Sequence, residues 1–249
     1  MDKIKQLLLV FLLISSGLMG CVAQGVDTDL QKEKKDSDQT YSSKKGDPNG
    51  IGKWYMGREI AHVMGFQGIN WLERSEREKE EQTSLLIRNM DIESTDVLAD
   101  LGAGSGYHVF KMAPLAKEGM VYAVDIQQEM LDAMESVKRD QAITNIQLIQ
   151  GEEQTSNLPL HKIDKILLVD VYHEFSYPKE MLQSMHASLK ENGTIFLIEY
   201  RMEDLQVPIK TIHKMTETQA RKEFEANGFE LVENVDNLPW QHCMIFRKK

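Results

Sequence analysis

From residue 96 onward, short apolar runs alternate with stretches whose apolar positions recur at helical spacing. Val97, Leu98, Ala99 and Leu101 predict a buried strand over 96–101, and similar runs predict strands over 120–125, 145–150, 165–171 and 194–200. Between them, 107–117, 129–140 and 179–190 read as helices, the last stopped by Asn192-Gly193. A Thr216…Gln219 box opens a helix over 216–226 and Asn227-Gly228 closes it; 229–234 and 242–247 then read as an antiparallel pair. Upstream, Ser75-Glu76-Arg77-Glu78 is a capping box for one helix running to about Asn89, and 54–72 reads as short helical pieces broken by glycines. The alternation predicts an α/β fold: a doubly wound, mostly parallel sheet with a C-terminal antiparallel hairpin.

The first strand ends in Asp100-Leu101-Gly102-Ala103-Gly104-Ser105-Gly106-Tyr107. Three glycines allow a sharp turn and close approach of a ligand where a Cβ would intrude. The turn opens onto a helix start. The second strand, Val121-Tyr122-Ala123-Val124, is tipped by Asp125, placed to accept hydrogen bonds from two ribose hydroxyls. A dinucleotide fold would need a third glycine at position 107, which is Tyr107, and an acid beside a pyrophosphate would be unfavourable.

Leading acid, glycine turn and acid-tipped second strand, in this order, resemble the class I S-adenosylmethionine-dependent methyltransferases, with their Rossmann-like sheet, over roughly residues 55–249. The resemblance implies S-adenosylmethionine as cofactor. It places Asp100 toward the cofactor's amino group, directly or through water, and Gly102, Gly104 and Gly106 in the turn beneath it. It further implies that Asp125 holds the ribose, that Ile126 packs on the adenine, that Glu152, with Glu153 as second choice, sits near the adenine amino group, and that Asp170 contacts cofactor or substrate. Glu152 and Glu153 read equally well as a solvated acidic loop.

The fourth strand runs into Asp170-Val171-Tyr172-His173-Glu174-Phe175, at the sheet edge where ligands bind in such folds. His173 is a candidate general base, or a histidine bonded to a neighbouring helix. Glu199 ends the fifth strand, and Val207–Met215 is an insertion carrying Lys210, His213 and Lys214; Glu199, His213 and Lys214 are candidates to bind or deprotonate an acceptor. His62, Gln67, Asn70 and Trp71 read as lid residues, with Trp71 more naturally in the core. No histidine stands close enough in sequence to Cys or carboxylate partners to suggest a metal site.

The N-terminus reads differently. Lysines at 3 and 5, an apolar Leu7–Ile14 and Leu18-Met19-Gly20-Cys21 resemble a bacterial lipoprotein signal peptide, with Met19 departing from the usual small residue. The expected organisation is therefore a signal peptide over 1–20, a lipidated Cys21 and polar tether over 21–52, and the methyltransferase domain over 53–249. That implies a membrane-anchored protein of the cell envelope, or a cytoplasmic one if the segment is not processed. An exported site would stand apart from the cytoplasmic supply of S-adenosylmethionine. The net charge of −10 and the lack of a basic stripe argue against nucleic acid. Methyl transfer to a small-molecule or lipid-like acceptor is the expected function. A non-catalytic cofactor- or partner-binding lipoprotein and an NAD-dependent oxidoreductase are the rival readings.

Overall fold

The computed structural model describes residues 40–249, and Tyr41–Lys249 form one compact unit. The signal peptide, the lipidation site at Cys21 and most of the expected tether lie outside the described residues.

Residues 41–61 correct the reading of that region. Strands β1 (Tyr41–Ser43), β2 (Gly50–Tyr55) and β3 (Arg58–Ala61) form a three-stranded antiparallel sheet. The end of the expected tether and the first expected helical piece are thus sheet, and the folded unit starts near Tyr41 rather than at 53. Met56 and Gly57 both take positive φ, 49° and 101°, the backbone signature of a tight hairpin turn whose twist matches the strands. The helical reading holds only further on, in a 3-10 turn at Phe66–Gly68 and the short helix α1 (Ile69–Leu72).

The single helix expected to end at Asn89 is two, α2 (Arg77–Glu81) and α3 (Thr83–Asn89), broken at Gln82 with φ 50°. Glu78, expected to close a capping box behind it, instead accepts hydrogen bonds from the Thr83 hydroxyl and the Ser84 amide, capping the helix ahead.

The main sheet has seven strands: β4 (Val97–Leu101), β5 (Met120–Asp125), β6 (Ile146–Gln150), β7 (Ile163–Val169), β8 (Leu189–Tyr200), β9 (Phe229–Asn234) and β10 (Gln241–Lys248), in the order β6-β5-β4-β7-β8-β10-β9. Pairs from β6 to β8 are parallel, and β10 runs antiparallel to both β8 and β9, as the pattern predicted. The connecting helices are α4 (Val109–Met112), α5 (Gln128–Asp140), α6 (Pro178–Ser188) and α7 (Glu217–Glu225). α4 is a single turn, shorter than expected: Ala113 still has helical backbone, but Pro114 has no N–H to carry the helical ladder on. The Thr216 side chain caps α7 by accepting from Gln219 N at 3.1 Å, as expected.

Successive residues of β4 enter different cores. Ala99 and Leu101 pack with Ile166, Leu168 and Tyr172 on one face; Leu98 packs with Val109, Met112 and Val121 on the other. The sheet is therefore buried on both sides, which suits its continuous apolar strands. Strand order reverses between β4 and β7, and the loops leaving these strands splay apart at the C-terminal edge. No helix among the described residues is long and apolar enough to cross a membrane.

Candidate active site

A cavity of about 740 Å³ opens at that switch point, within the size range of small-molecule sites. Gly102, Gly104 and Gly106 all take positive φ, at 71°, 55° and 83°. Gly102 and Gly104 line the cavity. A Cβ on Gly102 would lie 2.3 Å from Val171 Cγ2, and one on Gly104 2.6 Å from Leu72 Cδ1. Gly106 does not line it; a Cβ there would strike Phe110 and Met134. Its glycine serves the packing of the turn on α4 and α5, which corrects the expectation that it meets the cofactor.

Asp125 lines the cavity at the tip of β5 and ties the turn down. Its Oδ2 accepts from Gly104 N and its Oδ1 from Gln127 N, each at 2.9 Å. Burial raises its pKa, and these amide donors oppose the rise. With the Ile126 amide as a third donor, the carboxylate still has lone-pair capacity for a hydroxyl. Ile126, Glu152 and Glu153 line the same end, with Ile126 half out in solvent. Asp100 lies one layer behind the wall, fully buried, and its Oδ2 has no partner. Burial pushes its pKa up to about 8. Asp100 therefore stands behind the cavity wall and does not itself reach the cavity.

Asp170 lines the opposite wall at φ 50°. Its Oδ2 accepts from Gln241 Nε2 at 2.7 Å while Oδ1 is unpartnered. Burial, with the carboxylates of Glu81 and Glu199, holds its pKa well above the usual range. Beside it Glu81 accepts from Arg77 Nε at 2.7 Å and from the Tyr200 hydroxyl at 3.0 Å, and all three line the cavity. Sequence reasoning missed this group; the i, i+4 spacing of Arg77 and Glu81 was the available signal.

His173 and His213, 40 residues apart, meet here. His173 Nε2 and His213 Nδ1 are 3.1 Å apart, and His173 Nδ1 is 2.6 Å from Glu199 Oε2. Glu199 Oε1 also accepts from His173 N at 3.2 Å. Burial draws the His173 pKa down, but Glu199 and Glu174 outweigh it and the net direction is up. His213 is pulled down to about 4, by burial first and by His173 next. Both histidines line the cavity, whereas Glu199 is fully buried behind His173. Glu199 therefore holds His173 and does not itself reach the cavity, where the sequence led us to expect a base touching the acceptor. Lys214 is likewise turned away: its ammonium donates to the carbonyls of Asp204 and Val207 and braces the insertion.

Glu174, not singled out in the sequence, completes this cluster. Folding brings donor atoms of His173, Glu174 and His213 within 4.8 Å of one another, contrary to the expectation drawn from linear spacing. Of the expected lid residues, His62 and Trp71 line the cavity and Gln67 and Asn70 do not. Trp71 is 46 % exposed, with the Arg74 guanidinium stacked 3.7 Å above its ring, so it belongs to the rim and not the core.

A family model described as a methyltransferase domain matches residues 92–243. The chain belongs to this family. It is 23 % identical over 120 residues to an uncharacterized methyltransferase of Bacillus subtilis, YcgJ, covering 48 % of this chain and 47 % of that one. It is 30 % identical over 118 residues to the ubiquinone/menaquinone biosynthesis C-methyltransferase UbiE of Coxiella burnetii, covering 47 % of each. The match thus spans about half the length of each of these two relatives. A crystal structure of a SAM-dependent methyltransferase from Aquifex aeolicus superposes with TM-score 0.69 at 18 % identity, over 74 % of this chain and 98 % of that one, a likeness of fold. The family match contains the glycine turn, Asp125 and β7, and ends at Cys243 in β10.

Proposed function

We propose that this chain transfers a methyl group from S-adenosylmethionine to a small-molecule or lipid-like acceptor held in the same cavity. The observation that carries the reading is the turn after β4: Gly102 has positive φ and no room for a Cβ, and Asp125 faces the same cavity. These residues fit a nucleoside cofactor with a cationic amino-acid end. Gly102 and Gly104 would bear its backbone approach, Asp125 its ribose, Ile126 and Glu152 its base. The buried, partnerless Oδ2 of Asp100 would answer the amino group through water. When bound, the cofactor supplies a methyl group already activated on a sulfonium.

The chain's own part is to align the acceptor, exclude water and take up a proton where the acceptor loses one. Met64, Leu72, Val171, Phe175 and Ile209 give the cavity apolar walls, which suit an apolar or lipid-like acceptor and exclude competing water. His213 and His173 are the proton acceptors on its wall, with Glu199 holding the His173 ring in register. The relation to UbiE supports an acceptor that is small and apolar in part. The lipoprotein reading of Cys21 belongs to the same proposal, since an anchored chain would meet acceptors at a membrane surface; metabolic labelling with a radioactive fatty acid, lost in Cys21→Ala, tests it.

Calorimetric titration of the full chain with S-adenosylmethionine, S-adenosylhomocysteine and NAD, beside Asp125→Ala, tests the cofactor. Binding of the first two, weakened in the variant, is expected. Binding of NAD alone, or of none of the three, overturns the reading.

A further inference from the structure

We propose that His173, Glu174 and His213 bind a divalent transition-metal ion of the zinc class, with one coordination position open to the cavity. His173 Nε2, His213 Nδ1 and Glu174 Oε1 form a triangle with sides of 3.1, 3.6 and 3.7 Å. Zinc–ligand bonds of about 2.1 Å in a tetrahedron place neighbouring ligand atoms about 3.4 Å apart. The three atoms already stand at that spacing, and two imidazoles with one carboxylate are a ligand set such ions take.

The groups behind the triangle point the same way. His173 Nδ1 is held by Glu199 Oε2 at 2.6 Å, which turns Nε2 toward the cluster and raises its basicity as a ligand. The other oxygen of Glu174, Oε2, accepts from Met64 N at 3.1 Å, so Oε1 is the one left to face the histidines. Two ligands come from the 3-10 turn Tyr172–Glu174 after β7 and the third from the 3-10 turn Thr211–His213 in the insertion. An ion would thus join the insertion to the sheet edge. All three ligand residues line the cavity, so the fourth position faces it, the arrangement of a catalytic rather than a purely structural ion.

The class of acceptor follows if the methyl-transfer reading holds, and this step rests on it. An open position on such an ion takes an oxygen donor, and an acidic one best: a phenol, an enol or a carboxylic acid. The ion's charge would then favour the ionised oxygen, and with the ion bound the two histidines would act as its ligands instead of as proton acceptors.

The full chain, stripped by a chelator and dialysed, is titrated with zinc by calorimetry, and bound metal is counted after gel filtration. About one ion per chain is expected, with affinity weakened about a hundredfold in His213→Ala, whose side chain is only partly buried. Cobalt(II) in place of zinc should give the visible absorption of a tetrahedral site, lost in the same variant. Circular dichroism checks that His213→Ala is folded, and Glu174→Gln, which keeps the shape and removes the charge, gives a second reading of the same loss. No stoichiometric zinc in the wild type, or equal binding in both variants, overturns the proposal and leaves the histidine pair as a hydrogen-bonded couple. S-adenosylhomocysteine is titrated into the stripped chain in parallel: binding there with no zinc site sinks the ion alone, and zinc binding without it sinks the cofactor reading alone.

Discussion

Arg58 and Glu223 close a two-pronged ion pair in the interior, Nε to Oε1 at 2.9 Å and Nη2 to Oε2 at 3.0 Å. The same guanidinium donates to the carbonyl of His173 at 3.0 Å, and Glu223 Oε2 accepts from the Tyr172 hydroxyl at 2.7 Å. The pair therefore locks the β2–β3 hairpin and α7 onto the turn that carries His173. Removing one partner of a buried pair strands the other charge and costs about 3–5 kcal/mol. Glu223→Ala should lower the melting temperature by about 10 °C in a chain of this size. A fall of less than about 2 °C would mean the guanidinium finds water once its partner is gone.

Gly102 and Gly57 make a matched test of the turn. Both have positive φ, but a Cβ at Gly57 meets nothing within 4 Å while one at Gly102 presses on the stiff, branched Val171. Gly57→Ala should cost only the backbone strain, about 1 kcal/mol, and leave affinity for S-adenosylhomocysteine alone. Gly102→Ala should cost more stability and weaken that affinity by about tenfold or more, since the close approach of backbone to ligand is lost. Equal affinities in the two variants would remove Gly102 from the site.

The turn was legible because strand, acid and glycines are contiguous, and period-2 and period-3.6 patterns flank them directly. The parallel order and the closing antiparallel pair followed from the same alternation. Four things were not legible, for physical reasons. Trp54, Tyr55 and Ile60 fit a helical face as readily as a strand, and the Met56-Gly57 turn lacks the Asn or Asp that usually marks such hairpins. Glu78 stands at the right spacing to cap backwards from Ser75, yet caps forwards, because the chain breaks at Gln82. The His173–Glu174–His213 cluster depends on an insertion folding back over the sheet edge, a tertiary contact with no local period. Arg58 and Glu223, 165 residues apart, carried no signal at all.

Asp100 makes stability depend on pH. Its folded pKa, about 8, lies above the ordinary value of 3.8, because burial disfavours the charged carboxylate. The native state then holds a proton that the unfolded chain releases near pH 4, so this contribution is complete below about pH 4 and lost as pH rises toward 8. Asp125, Asp170 and Glu174 are also raised and act in the same direction. Asp100→Asn removes one such group while keeping its shape. The melting temperature of the variant relative to wild type should therefore be higher at pH 8 than at pH 5. Parallel curves across that range would mean Asp100 is ionised in the folded protein, with water or the nearby Arg77 carrying its charge.

Glu199 offers the sharpest separation of chemistry from binding. Both of its oxygens accept from one residue, His173, through the ring Nδ1 and the backbone amide. A glutamine in its place presents one acceptor and one donor, so either one of these bonds is lost or His173 switches to the tautomer whose Nδ1 accepts. Glu199 does not line the cavity, so Glu199→Gln should leave affinity for the methyl donor and its KM unchanged. Turnover of an identified acceptor should fall about a hundredfold, because His173 loses the group that fixes its tautomer and ring orientation. A raised KM instead of a lowered kcat would place Glu199 in binding, and unchanged kinetics would take His173 out of the reaction, since no other group among the described residues holds its Nδ1.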